Sequence, residues 1–473
     1  MSDLVEKILA LSRADGCIVI HRESSSVNLR WANNTLTTNG AGTDRTVAVI
    51  SIIGESVGVR SASVVDDLEA LVRASEQAAR DAGPAEDAGP LVTGPACADF
   101  SAAAEGTTTA VFEGFARDLG ESFAAARADG LLLFGYASHD VTTTWLGSST
   151  GLRLRHAQPT GYVEATGKSS DVGGSTWVGQ HTRDWSDISV PGLDREVRRR
   201  LGWAKRHVEL PAGRYETLLP PSAVADLMAY AYWTMAGRDA AEGRTVFSRT
   251  GGGAGAGSSA GAGAGLGGGA GSGGSGTRLG EHLGPAGLTL RSDPLDPALG
   301  VTPFSVATGS SAMSSVFDNG LPLTATDWLT GGALTSLIET RSSAAARGAA
   351  VTPYVHNLIL DGGGTASTDE MVTSTERGLL LTCLWYIREV DPQTLLLPGL
   401  TRDGVDLVEG GEVVGVVNNF RWNESPVDLL GRISESGASQ RCLPREWSDD
   451  FTWTQMPTLR VPGFNMSSVS QAS

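Results

Sequence analysis

Residues 17–63 read "CIVIHRESSSVNLRWANNTLTTNGAGTDRTVAVISIIGESVGVRSAS". Apolar and polar residues alternate with a period of two, the signature of strands with one covered face. Turn-forming residues interrupt the pattern at Ser24–Ser26, at Asn33–Asn34 and near Gly54, which predicts paired strands followed by a hairpin. Outward on the N-terminal side, "DLVEKILALSRADG" (3–16) spaces its apolar residues as a helix and ends at Gly16. On the other side, "SVVDDLEALVRASEQAARDAG" (63–83) predicts a helix with Ser63 as cap, Asp66 three residues on, and Gly83 at its end. Residues 1–90 therefore read as a small α/β module.

The Pro/Ala/Gly-rich "GPAEDAGPLVTGPA" (83–96) reads as a linker, and 108–128 as a further helix. From 131 to about 190 five short strand patterns recur: "LLLFGYAS", "TTTWLGSS", "LRLRHAQ", "TGYVEATGKS" and "GSTWVGQH". They predict an antiparallel meander, the central strands of a segment that spans 108–208. A basic helix, "DREVRRRLGWAKR" (194–206), leads to a second, β-rich domain over 209–473, in which Gly410–Gly411 marks a hairpin. Residues 251–276 are Gly, Ala and Ser apart from Leu266, a composition that cannot bury a core and is expected to be disordered. The expected class is α+β: an N-terminal domain over 1–208 and a C-terminal domain over 209–473.

With 473 residues, more than one core is expected. A formal net charge of −17 repels phosphate backbones and anionic lipid, so neither nucleic acid nor a membrane surface is an expected partner. Cys17, Cys97, Cys383 and Cys442 form no CxxC pair, which points to reduced thiols. The acidic start "MSDLVEKILALSRADG" lacks a signal-peptide pattern, and no apolar run reaches membrane-spanning length. A cytoplasmic location is expected.

Three tempting motifs fail on context. "GSSTG" (147–151) matches G-x-S-x-G but has strand-like sequence on both sides, so Ser149 reads as a turn serine. "GYVEATGKS" (161–169) has five residues between its glycines where a P-loop needs four, and no helix follows. Gly263, Gly265 and Gly268 match a dinucleotide fingerprint only because low-complexity sequence matches almost anything. The seven histidines are scattered, with no two close enough for a helical zinc motif. Asp239 and Glu242 read as a solvated helix end.

"LMAYAYWTMAGRDAAEGRTVF" (227–247) is the most informative stretch for function. It has an apolar lead-in and a Gly/charged exit, and no histidine. Together with residues 27–63, 148–188, 215–232, 370–382, 400–433 and "MPTLRVPGF" (456–464), taken in order, it resembles the TldD/PmbA (TldE) metallopeptidase family over nearly the whole chain. The resemblance implies a peptidase assembled from two related chains. The TldD-type chain holds zinc through HExxxH on a helix and a C-terminal cysteine. The TldE/PmbA-type chain lacks that motif.

Laid on the TldD pattern, Ala229 stands at the first His, Tyr230 at the Glu and Thr234 at the second His. Cys442 falls where the cysteine ligand is expected, and one thiolate does not hold a catalytic zinc. The resemblance thus implies a TldE-like subunit with no catalytic residue, metal or cofactor of its own. It would pair with a zinc-bearing TldD-type partner and handle unfolded, short or leader peptides. The alternatives are a stand-alone peptide-binding or scaffold homodimer and a hydrolase with an unrecognised site. Trp447, Phe451 and Trp453 are expected in the core.

Overall fold

The computed structural model describes residues 2–63, 67–169, 174–249 and 276–470. Except for Gly276, the insert expected over 251–276 lies outside them, as does Asp66. Among the described residues, β1 (Gly16–Ala32), β2 (Thr35–Ile53), β3 (Ser56–Ala62), β4 (Leu131–Ser148), β5 (Arg153–Ser169) and β6 (Ser175–Thr182) form one six-stranded sheet, ordered β3-β2-β1-β4-β5-β6. Every neighbouring pair is antiparallel. The early strands and the meander thus share one sheet.

Turns form where the backbone needs left-handed residues: Asn33 and Asn34 at φ 52° and 58°, and Gly54 at 59°. The turn expected at Ser24–Ser26 does not form. β1 runs straight through it, and Ser24 Oγ meets Thr142 Oγ1 at 2.8 Å across the strand pair. The five short strands expected between 131 and 190 are likewise three long ones. Gly135 and Gly167, inside these strands, are close-packing positions. An added Cβ would lie 2.3 Å from the Trp31 ring at Gly135 and 2.3 Å from Val197 at Gly167.

Alternation gives the sheet two different faces. Odd-numbered residues of β1, β4 and β5 face the helices. Val19 and Trp145 pack with Val5 and Ile8 of α1 (Ser2–Leu11) and with Val72 of α2 (Leu68–Asp81). Leu29, Trp31 and Val163 pack on α3 (Glu113–Ala128) and α4 (Val190–Trp203). α2 is capped by Asp67, whose carboxylate accepts the Ala70 amide at 2.9 Å, and not by Ser63. Even-numbered residues face the C-terminal domain: Ile18, Ile20 and Leu146 meet Phe304 and Val316.

Among the described residues, the C-terminal domain contains a ten-stranded and a six-stranded sheet. The strand Gly213–Leu219 lies between Leu459–Val469, antiparallel to it, and Arg377–Leu381, parallel to it. The expected hairpin joins Val405–Glu409 to Glu412–Val417, with Gly410 and Gly411 at positive φ. α5 (Pro221–Trp233) follows Gly213–Leu219 directly, its proline start supplying the fixed φ of a first turn. It is apolar almost all round, as a helix enclosed by a core must be. Phe451 and Trp453 are buried, and Trp447 packs against the same core. No helix among the described residues is long and apolar enough to cross a membrane.

Candidate functional site

α5 carries the positions at which the family resemblance puts metal ligands. Ala229 is fully buried in the main core and offers only a methyl group. Tyr230 is half-buried, its ring 5.5 Å from Trp447 and 6.0 Å from Trp233. Burial, then the nearby Glu389 carboxylate, raise its phenol further above its ordinary value, so it stays protonated. Thr234 lies beyond the last residue of the helix, and its hydroxyl folds back to donate to the Ala231 carbonyl at 2.8 Å.

Cys442 sits on the strand Gln440–Cys442, which packs against α5. The helix and the cysteine are thus brought together as the resemblance implies. Its Sγ lies 3.4 Å from Thr454 Oγ1, and burial pushes the thiol up to about 12, so it is held as a thiol and not as the thiolate that binds zinc. Among the described residues no group of three or more His, Cys, Asp or Glu side chains is placed to hold a metal ion. This donor set does not fit zinc.

One acid here escaped sequence reasoning. Asp226, one turn before Ala229, is fully buried. Its Oδ1 accepts the Glu446 amide at 2.8 Å, its carbonyl accepts Trp447 Nε1 at 3.0 Å, and its Oδ2 has no partner. Burial raises this carboxyl well above its usual range, so it carries a proton. The signal available in sequence was a single acid inside the apolar run "VADLMAYAYW". Next to Glu446, the Arg445 guanidinium lies 3.3 Å from the Trp385 ring centroid, 5.7 Å from that of Trp177 and 3.8 Å from Asp403. These contacts join α5, the C-terminal sheet and β6 into one packed wall.

The other end of α5 borders a cavity. Tyr232 stacks on Tyr354 with ring centroids 5.0 Å apart, and Trp233 Nε1 donates to the Tyr354 hydroxyl at 3.1 Å. Tyr354 lines a cavity of about 440 Å³ between the N-terminal sheet and the C-terminal domain.

A buried helix with a cysteine strand beside it is thus set in a β-rich C-terminal region behind an antiparallel sheet. Residues 212–468 match the PmbA/TldA metallopeptidase C-terminal domain, and residues 17–82 match PmbA/TldA metallopeptidase domain 1. The chain belongs to the PmbA/TldD metallopeptidase family. No curated protein is similar enough to count as a match. Among solved structures, TldE from Thermococcus kodakarensis aligns with a TM-score of 0.76 at 16% identity, over 98% of this chain and 99% of that one. A structure from Thermotoga maritima, described as a candidate modulator of a DNA gyrase, aligns with the same score, identity and coverage. A protein of like description from Bacteroides thetaiotaomicron aligns at 0.73 and 12% identity, over 99% of this chain and 98% of the other. At these identities the likeness establishes the fold.

Proposed function

We propose that the chain is the non-catalytic, TldE/PmbA-type subunit of a heterodimeric TldD/TldE zinc metallopeptidase acting on unfolded or leader peptides in the cytoplasm. The observation that carries this reading is the chemistry of α5. A methyl, a phenol and a back-bonded hydroxyl occupy the three motif positions, and Cys442 on the adjoining strand is a buried thiol. Zinc, and the water it activates, would belong to the partner. This chain would complete the enclosure and help to hold extended peptide, to which added strands offer main-chain hydrogen bonds without demanding a sequence.

The test is zinc content and peptidase activity of the chain purified alone, then co-expressed with a TldD-type chain from the same genome. A one-to-one complex that gains both zinc and cleavage supports the proposal. Zinc and cleavage by the lone chain would make it a hydrolase in its own right. A stable homodimer that ignores the TldD-type chain would make it a peptide-binding scaffold.

A further inference from the structure

The alternation that packs Ile18 and Ile20 of β1 against the C-terminal domain continues to Arg22 and Ser24. In register beside them stand Thr144 and Thr142 of β4, and Gln158 of β5 lies opposite Thr142. At this point the covered face of the sheet changes from apolar to polar while it is still enclosed. The space left between the layers is the cavity of about 440 Å³, closed on the far side by the segments around Phe304, Leu323 and Tyr354.

Arg22 is a cation on this wall with no protein partner among the described residues. Among the described residues no carboxylate pairs with it and no hydrogen bond engages its guanidinium; burial alone acts on it, and lowers its pKa. The acid on the wall, Asp318, is already committed to Arg341, accepting its backbone amide at 3.0 Å and its Nε at 2.6 Å. His356 opens to the same cavity with its ring edge-on to Tyr354 at 4.7 Å. Its partly enclosed position and the Arg22 charge lower its pKa from the ordinary histidine value, which favours a neutral ring able to donate one hydrogen bond. Holding an unpaired cation inside a protein is costly, and such costs concentrate where a ligand is bound.

We propose that this cavity binds a small monocarboxylate, its carboxylate paired with Arg22 and its carbon skeleton lying against Phe304, Leu323 and Tyr354. The charge count selects the anion. One guanidinium neutralises one carboxylate, to which its planar fork is matched. A phosphate dianion would be left with uncompensated charge beside Asp318. Serine and threonine hydroxyls supply the remaining donors, and the volume lies within the range of small-molecule sites. Two sources offer this chemistry, a free short-chain acid or the terminal carboxylate of a short peptide; only the second rests on the function proposed above.

The experiment is calorimetric titration of the purified full chain with 4-methylpentanoate, with N-acetyl-Leu-Leu and with N-acetyl-Leu-Leu amide, repeated on Arg22→Gln. Binding of either acid but not of the amide, weakened at least tenfold in a variant that melts no lower than the parent chain, is the expected result. Preference for the dipeptide acid identifies a peptide terminus, and preference for 4-methylpentanoate identifies a free acid. No binding of either acid at millimolar concentration, equal binding of the amide, or undiminished binding by Arg22→Gln overturns the proposal. So does an Arg22→Gln chain that unfolds, since Arg22 would then be a structural residue. Neither zinc nor the partner subunit enters this experiment, so its failure would leave the heterodimer reading standing, and failure of that reading would leave this one.

Discussion

The hydroxyl of Tyr232 exchanges two hydrogen bonds with the backbone of Val355, donating to its carbonyl at 3.1 Å and accepting its amide at 2.9 Å. The last turn of α5 is thereby pinned to the segment that walls the cavity. Tyr232→Phe keeps the ring stack on Tyr354 but orphans both backbone groups in a water-free place. It should destabilise the chain by about 1–3 kcal/mol, measured as a shift of the urea midpoint. An unchanged midpoint would mean that the bonds contribute nothing net.

Rebuilding the motif should fail. In the triple variant Ala229→His, Tyr230→Glu, Thr234→His, an imidazole must enter a core filled at Ala229, and the last position lies past the helix end. Overpacking of this kind costs about 1–3 kcal/mol or more. Metal analysis of the purified variant should find no stoichiometric zinc; one zinc per chain would show that the fold still holds the site in reserve.

Acid should weaken the fold through His181, which is fully buried with Nε2 3.2 Å from the Thr454 carbonyl. Burial pulls it down from 6.5 to about 4. Between these values the unfolded chain binds a proton that the folded chain refuses, so stability falls as pH drops from about 6.5 to about 4. The loss is about 3 kcal/mol at most. His181→Gln should flatten that limb of the stability curve, and an unaltered limb would remove His181 as its source.

Asp406 works in the opposite direction. Burial pushes its carboxyl up from 3.8 to about 7, against the pull of Arg200 and Arg199. The folded chain keeps a proton that the unfolded chain releases, so stability falls as pH rises from about 4 to about 7. Asp406→Asn should therefore stabilise the chain at pH 8, by up to about 4 kcal/mol, and change little at pH 4. Equal effects at both pH values would contradict this.

Gly58 of β3 faces α2 so closely that an added Cβ would lie 2.1 Å from the Ser75 carbonyl oxygen and 2.2 Å from the Ala79 amide nitrogen. These are backbone atoms of the helix and cannot rotate away. Gly58→Ala should cost about 3 kcal/mol or prevent folding, read from soluble yield and the denaturation midpoint.

Much of the fold was legible because certain residues leave the backbone little choice. Asn33–Asn34, Gly54 and Gly410–Gly411 turn the chain where expected since the turns need positive φ. Ser24–Ser26 misled because serine serves turns and strands alike, and only a cross-strand partner 118 residues away decides between them. The breaks expected after Ser138 and after Gln158 do not form because pairing with neighbouring strands carries β4 and β5 through them, and those neighbours are distant in sequence. At the site, residue type alone says that Ala229, Tyr230 and Thr234 bring neither imidazole nor carboxylate to α5 and its end. Arg22 shares the parity of Ile18 and Ile20, but nothing local says that this charge faces a cavity or that His356 lines the same space. Asp226 carried a compositional signal and no chemical one.

The placement of Leu459–Val469 has a consequence for how the protein is made. That strand is inserted between Gly213–Leu219 and Phe420–Glu424, and Arg460 reaches Glu216 across 244 residues of chain. While a ribosome is still producing the intervening residues, the N-terminal sheet can assemble from strands already made, but the larger C-terminal sheet has a missing centre. The even-numbered face of β1 and β4 then waits uncovered at least until the segments that carry Phe304 and Val316 are made and packed, an exposed apolar surface of the kind that favours misassembly.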